Sequence, residues 1–199
     1  MPPAPVAREK VLEAFATILV TQGERAATLE AVAAQAGVSK GGLLYHFASK
    51  QALVDGLLGR LVDLAAADVI EMRSAPAGPV DHFLRTSAQS DTDFDRVYVA
   101  VTRLPQDTYP QARAALDEAH RGWQAAVLDA VGDPVLARAV VLMGDGLYLE
   151  ASRTGDWDAD SRSRRRTDAH VDELLALVDR ISGATGAPAD GRSEGATAG

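Results

Sequence analysis

A chain of 199 residues with 47% hydrophobic content can bury one sizeable core, or two small ones that share a helix. The lack of cysteine excludes disulfides and thiol chemistry and fits a reducing cytoplasm; charges interrupt the apolar runs, so no membrane span is expected, and MPPAPVAREK lacks the apolar core of a signal peptide. A net charge of −8 argues against a protein that coats nucleic acid, but the charge is uneven: residues 1–50 hold five Lys or Arg against four Glu, the remainder fifteen against twenty-four.

Only 5% of residues are aromatic, Ala and Leu are abundant, and no β-branched alternation is long enough for a sheet, so the fold class expected is all-α with about nine helices. Residues 1–6 are Pro-rich and expected to be disordered. From Ala7 the chain is amphipathic, with Val11, Leu12, Phe15, Ile18 and Leu19 on one face, and it stops at Gly23. This first helix must brace the two after it, because isolated short helices are marginal in water.

The stretch TLEAVAAQAGVSKGGLLYHFASK, Thr28 to Lys50, predicts two short helices joined by a tight turn. Thr28 is placed to cap the first, Gly37 to end it in the left-handed conformation, and Ser39 to cap the second. The second helix would offer its positive N-terminal end to an anion, with Lys40 alongside and no side chain at Gly41 or Gly42 to hinder close approach. Tyr45 and His46 follow one turn later and Lys50 opens the next helix. One surface then holds two cations, a phenol and an imidazole able to donate to phosphate oxygens.

As a connected string, Arg8, Val11, Leu12, Gly23, Thr28, Val32, Ala33, AGVSKG, Tyr45, His46, Phe47, SK and Leu53 resemble the TetR-type (TetR/AcrR-like) one-component transcriptional regulators. The resemblance covers Arg8 to about Leu53. It implies a helix-turn-helix head, over residues 7–50, that binds a double-stranded DNA operator through Thr28, Ser39, Lys40, Gly41, Gly42, Leu44, Tyr45, His46 and Lys50. Two positions depart from the family pattern. Gly42 stands where a small base-reading side chain is frequent, and Leu44 stands where an aromatic is, so recognition shifts toward Lys40, Tyr45, backbone approach and DNA shape.

A fourth helix begins near Ser49 and carries Leu53, Leu57, Leu61 and Leu64 to about Arg73, at roughly 1.5 Å per residue a rod of some 35 Å. Prolines divide the remainder. One helix holds Val80 to Ser87; another holds Phe94, Val97, Tyr98 and Val101 and stops before Pro105. A longer one starts at Pro110 and ends at Gly132, and an eighth runs from Pro134 to about Arg153. A charged connection, Gly155 to Thr167, has four arginines between Arg162 and Arg166 and is expected to be a solvated loop or helix start. A ninth helix holds Val171 to Ile181, and the low-complexity tail over 183–199 is expected to be disordered.

The resemblance implies that residues 51–182 form an effector-binding and dimerisation domain, and that the chain is a homodimer. Bulky or polar residues on otherwise apolar faces are the candidate pocket residues: Phe83, Phe94, Tyr98, Tyr109, His120, Trp123, Met143, Asp145 and Tyr148. Asp145 is the most pointed, because a carboxylate within an apolar helix needs a partner or a ligand cation. Val135, Ala139, Leu142, Gly146 and Leu149, with Leu174 and Val178, are the candidate dimer interface. No catalytic motif, metal-ligand spacing or phosphate loop is present, so neither an enzyme nor a cofactor is expected. The reading is a ligand-released repressor, bound to an operator and to an unidentified small-molecule effector, and not to a membrane. The alternative is a helical dimer that binds a ligand or protein without binding DNA.

Overall fold

A computed structural model describes residues 4–89, 92–154 and 161–185, and every regular element among them is helical. In chain order these are α1 (Ala4–Gln22), α2 (Leu29–Ala36), α3 (Lys40–His46), α4 (Lys50–Ser74), α5 (Pro79–Ser87), α6 (Asp93–Thr102), α7 (Pro110–Val131), α8 (Pro134–Thr154) and α9 (Ser161–Thr185). Three boundaries differ from expectation. α1 starts at Ala4, three residues early, and only residues 1–3 of the segment expected to be disordered lie outside the described residues. A single 3-10 turn, Glu24–Ala26, separates α1 from α2. α9 takes in the Arg162–Arg166 run and extends to Thr185, while residues 186–199 of the expected tail lie outside the described residues.

The caps form where the sequence puts them. Thr28, Ser39 and Ser49 accept hydrogen bonds from Ala31, Gly42 and Ala52 N–H at 3.2, 3.0 and 3.1 Å. At Gly37 φ is 67°, and the Val38 N–H reaches back to the Ala33 carbonyl at 3.0 Å, which turns the chain from α2 toward α3. Thr92 and Asp95 exchange hydrogen bonds in a capping box that starts α6.

Two apolar clusters hold the helices together. The first gathers α1, α2, α3 and the first half of α4, and it also takes in Val97, Val101 and Leu104 from the α6 end and Tyr109, Ala112 and Ala115 from the start of α7. The second joins the far half of α4 with α5, the rest of α7, α8 and α9. α4, about 37 Å long over its 25 residues, runs through both. The head is therefore not a detached module; packing continues past residue 50 into α6 and α7. Each fully buried Leu along α4, such as Leu53, Leu57 and Leu61, contributes about 1.5–3 kcal/mol of burial.

α4 is also tied by charge along its length. Arg60 pairs with Glu9 of α1 and Asp93 of α6, each at 2.6 Å, and Arg73 pairs with Asp129 of α7 at 2.8 Å. Gly56 lets it approach the head closely. A Cβ there would sit 2.7 Å from the Phe47 ring.

Candidate nucleic-acid interface and ligand cavity

α3 is anchored by its inward side chains and open on its outer face. Leu43 and Phe47 are buried, whereas Tyr45 is 82% exposed and Leu44 is exposed beside it. Tyr45 meets His46 edge to face at 5.1 Å between centroids. Gly41 is exposed, and a Cβ built on it would touch nothing within 4 Å. A glycine inside a helix costs about 0.5–1 kcal/mol relative to alanine. The fold of this chain gives no steric reason for that cost.

The cations at this face are held differently. The exposed Lys40 ammonium bonds Glu30 at 2.6 Å, across the turn from α2. Lys50, expected to donate to phosphate, turns inward instead: it bonds the Glu24 carbonyl and carboxylate, each at 2.7 Å, in a partly buried corner. A desolvated ammonium requires acceptors, and the 3-10 turn presents two together. The Lys50 bond is the main reason the Glu24 carboxyl is held below the usual range. Arg8, not among the residues expected on the DNA surface, lies over the Phe47 ring at 5.2 Å and brings a cation to the end of α3. Its i, i+39 separation from Phe47 gives no periodic signal.

The second site is a cavity of about 280 Å³ walled by α4, α5, α6, α7 and α8. Six of the nine pocket candidates line it: Phe83, Phe94, Tyr98, Trp123, Asp145 and Tyr148. His120 stands behind the wall, its Nε2 3.2 Å from Asp145 Oδ1, and that hydrogen bond raises the imidazole pKa against the opposing effect of burial. The Trp123 indole N–H donates to Asp68 at 2.7 Å, and His82 lies 3.4 Å from the same carboxylate. Burial, then the charge of Asp145, pushes the Tyr98 phenol up to about 12, so its hydroxyl stays protonated. Gly144 makes room for Phe83; a Cβ there would come within 2.7 Å of the ring Cζ.

Residues 11–57 match the family model described as bacterial regulatory proteins, tetR family, and residues 79–179, half of the chain, match the tetracyclin repressor-like C-terminal domain. The chain belongs to the TetR family. Among curated relatives, the HTH-type transcriptional repressor KstR2 of Mycobacterium tuberculosis is 35% identical over 74 residues, which are 37% of each chain. The chain thus spans little more than a third of that relative's length. Solved structures share the fold throughout: Salmonella enterica GusR at 17% identity and TM-score 0.63, covering 92% of this chain and 98% of that one. The multidrug binding protein EbrR, complexed with malachite green, matches at 22% identity and TM-score 0.62, covering 86% and 96%.

Two pocket candidates fall elsewhere in this TetR-family chain. Tyr109 belongs to the first core, where its hydroxyl donates to Glu24 Oε1 at 3.2 Å; it opens α7 at the end remote from the cavity. Met143 packs against the second core instead of lining the cavity. Asp68, Glu71 and Asp95 line it although nothing in the sequence points to them. Their helical spacing marks them only as polar positions, so nothing local distinguishes them from solvent-facing carboxylates.

Of the candidate interface residues, Val135, Leu142 and Leu149 form an exposed apolar stripe on α8, at 77, 58 and 60% exposure, with Gly146 exposed and Ala139 half-buried between them. Val178 departs from expectation. At 3% exposure it is part of the second core, because α9 needs that side to pack on α5 and α8, and Leu174 leans the same way. No helix among the described residues is long and apolar enough to cross a membrane.

Proposed function

We propose that the chain is a DNA-binding transcriptional repressor that works as a homodimer in the cytoplasm, released from its operator by a small molecule, and that it acts by binding and without catalysis. The observation that carries the DNA-binding part is the outer face of α3. Tyr45 and Gly41 are exposed outside both cores, Ser39, Lys40, Gly42, Leu44 and His46 are their neighbours on α3 and its cap, and Thr28 caps α2 ahead of them. Membership of a regulatory family supports the same reading, as does the repressor KstR2 among its relatives. The cavity supports the effector part, since a concave, mostly aromatic site with a few polar groups is the usual form of a small-molecule site. EbrR, of the same fold, binds malachite green.

Dimerisation would proceed through α8. Val135, Ala139, Leu142, Gly146 and Leu149 recur at alternating steps of four and three, the spacing of a helix seam, and two copies related by a two-fold axis would cover each other's stripe. Two heads so related would enter successive major grooves of a pseudo-palindromic site.

A mobility shift with DNA from upstream of the protein's own coding region tests this. Retarded, salt-sensitive binding of a dimer is the expected result. One observation favours the second reading, a helical ligand- or protein-binding dimer without operator binding: Lys40 and Lys50 are both already bound to carboxylates of the same chain. A folded dimer that leaves every such DNA fragment unretarded would establish that reading in place of the first.

A further inference from the structure

We propose that the cavity binds an organic cation with a flat apolar body, its charge beside Asp145 and its body against Trp123, Phe94 and Tyr98. This rests on the effector-pocket reading above and gives it a ligand class. Among the described residues the lining carries four carboxylates, Asp68, Glu71, Asp95 and Asp145, and no Lys, Arg or His. Three of the four have a partner within the chain. Asp68 accepts the Trp123 indole and faces His82, and Asp95 accepts from Thr92 N–H and Oγ1 at 2.8 and 2.7 Å. Glu71 is exposed, and Asp145 is 45% exposed with His120 as its partner.

Each ligand charge meets this lining differently. Among the described lining residues an anion finds no cation, the nearby His120 imidazole being already bonded to Asp145, and it is repelled by the carboxylates. A neutral body strips water from Asp145 and Glu71 without replacing it, which costs desolvation free energy. A cation replaces that water with a direct ion pair in a site of reduced dielectric. The excess of twenty-four acidic over fifteen basic residues beyond residue 50 points the long-range field the same way.

The aromatic groups set the shape of the body. Trp123 packs against Phe94 at 5.6 Å and Tyr98 at 6.3 Å between centroids, and Tyr98 meets Tyr148 edge-on at 5.6 Å. Because Asp68 holds the indole N–H, the Trp123 ring is fixed in place as a preformed wall. Electron-rich ring faces attract a cation that neutral or anionic groups would not satisfy. A volume of about 280 Å³ suits a compact, two-ring ligand.

Titration calorimetry of the full chain with three matched probes tests the class: N-methylquinolinium, quinoline, which is uncharged at pH 7.5, and quinoline-2-carboxylate. Saturable binding of N-methylquinolinium is expected, about tenfold or more tighter than quinoline, with no binding of the carboxylate. Asp145→Asn should weaken the cation by about tenfold and Asp145→Glu should retain it, with the helical circular dichroism of both variants showing that they are folded at the temperature of the titration. Quinoline or its carboxylate binding as well as the cation overturns the proposal, as does an unchanged Asp145→Asn variant, or no cation binding at millimolar concentration. None of these bears on whether the cavity is the effector pocket. Conversely, a bound cation that leaves the DNA complex intact under saturation, with every other cavity ligand doing likewise, sinks the effector reading and leaves the ligand class standing.

Discussion

The Tyr109 hydroxyl donates to Glu24 Oε1 across 85 residues of sequence, joining the first turn of α7 to the 3-10 turn of the head. Lys50 closes the same corner from the start of α4. α7 then runs on to His120 and Trp123, about 16–21 Å along its axis from Tyr109. One rigid helix thus touches the head at one end and the cavity at the other, and α4 runs beside it through both cores. A displacement of α7 along its axis by a fraction of a turn would therefore strain the Glu24 corner.

Lys50→Ala should therefore act on stability before it acts on DNA. The substitution leaves the Glu24 carboxylate in a partly buried corner without its main partner. Because Glu24 is held below its ordinary pKa in the folded chain, its contribution is present above the unfolded value and is lost as pH falls through the folded one. Melting curves between neutral pH and pH 3 should show an acid-side fall in wild type that is shallower in Glu24→Gln. A Lys50→Ala variant that melts like wild type and instead loses salt dependence in operator binding would return Lys50 to the DNA surface.

On the α3 face the roles should separate. Tyr45→Ala, at an 82% exposed position, should leave the melting temperature unchanged and weaken operator binding by about 1–2 kcal/mol. Lys40→Ala should reduce the dependence of log K on log salt by about one unit. Glu30→Gln should tighten binding, because it frees the Lys40 ammonium and removes a negative charge facing the phosphates. Titrations at three salt concentrations measure all three variants.

The helices and their caps were legible in the sequence because they depend on local rules: Thr28, Ser39 and Ser49 cap, Gly37 terminates, and prolines open α5, α7 and α8. Six cavity residues were legible as aromatics and a carboxylate on apolar faces. What escaped depends on contacts between distant segments. Lys50 looks like a surface cation until Glu24 is placed beside it, and Tyr109 looks like a pocket aromatic until α7 is seen to begin against the head. Val178 obeys the same rule, since which flank of α9 is buried depends on where α5 and α8 lie.

Gly144→Ala should test how tightly the cavity wall is built. The added methyl would strike the Phe83 ring and approach Ser87 Oγ at 3.0 Å, so Phe83 must move toward the cavity that it lines. Overpacking of this kind costs about 1–3 kcal/mol. Gly122→Ala is the comparison, since its methyl meets only Val69 Cγ2 at 3.2 Å. Thermal denaturation should rank Gly144→Ala well below Gly122→Ala, and the first variant alone should lose affinity for cavity ligands. Equal stability of the two would show that Phe83 yields freely.

The pair His120 and Asp145 should give the cavity a pH signature. Five groups face the imidazole: Asp145 from α8, Tyr98 from α6, and Trp123, Asp117 and the Leu116 carbonyl from its own helix. The Asp145 hydrogen bond is the largest influence and raises the His120 pKa above the ordinary value, so protonation is favoured in the folded state. The associated stability is fully present below the unfolded pKa and is lost as pH rises through the folded one. NMR titration of the imidazole protons, assigned with His120→Gln, should place this histidine above its ordinary value in wild type and lower it in Asp145→Asn. A cation seated at Asp145 should lower it in the same direction, and should bind more tightly as pH rises through that range. An unshifted His120 in the wild-type chain would mean that the imidazole and carboxylate do not share a proton in solution.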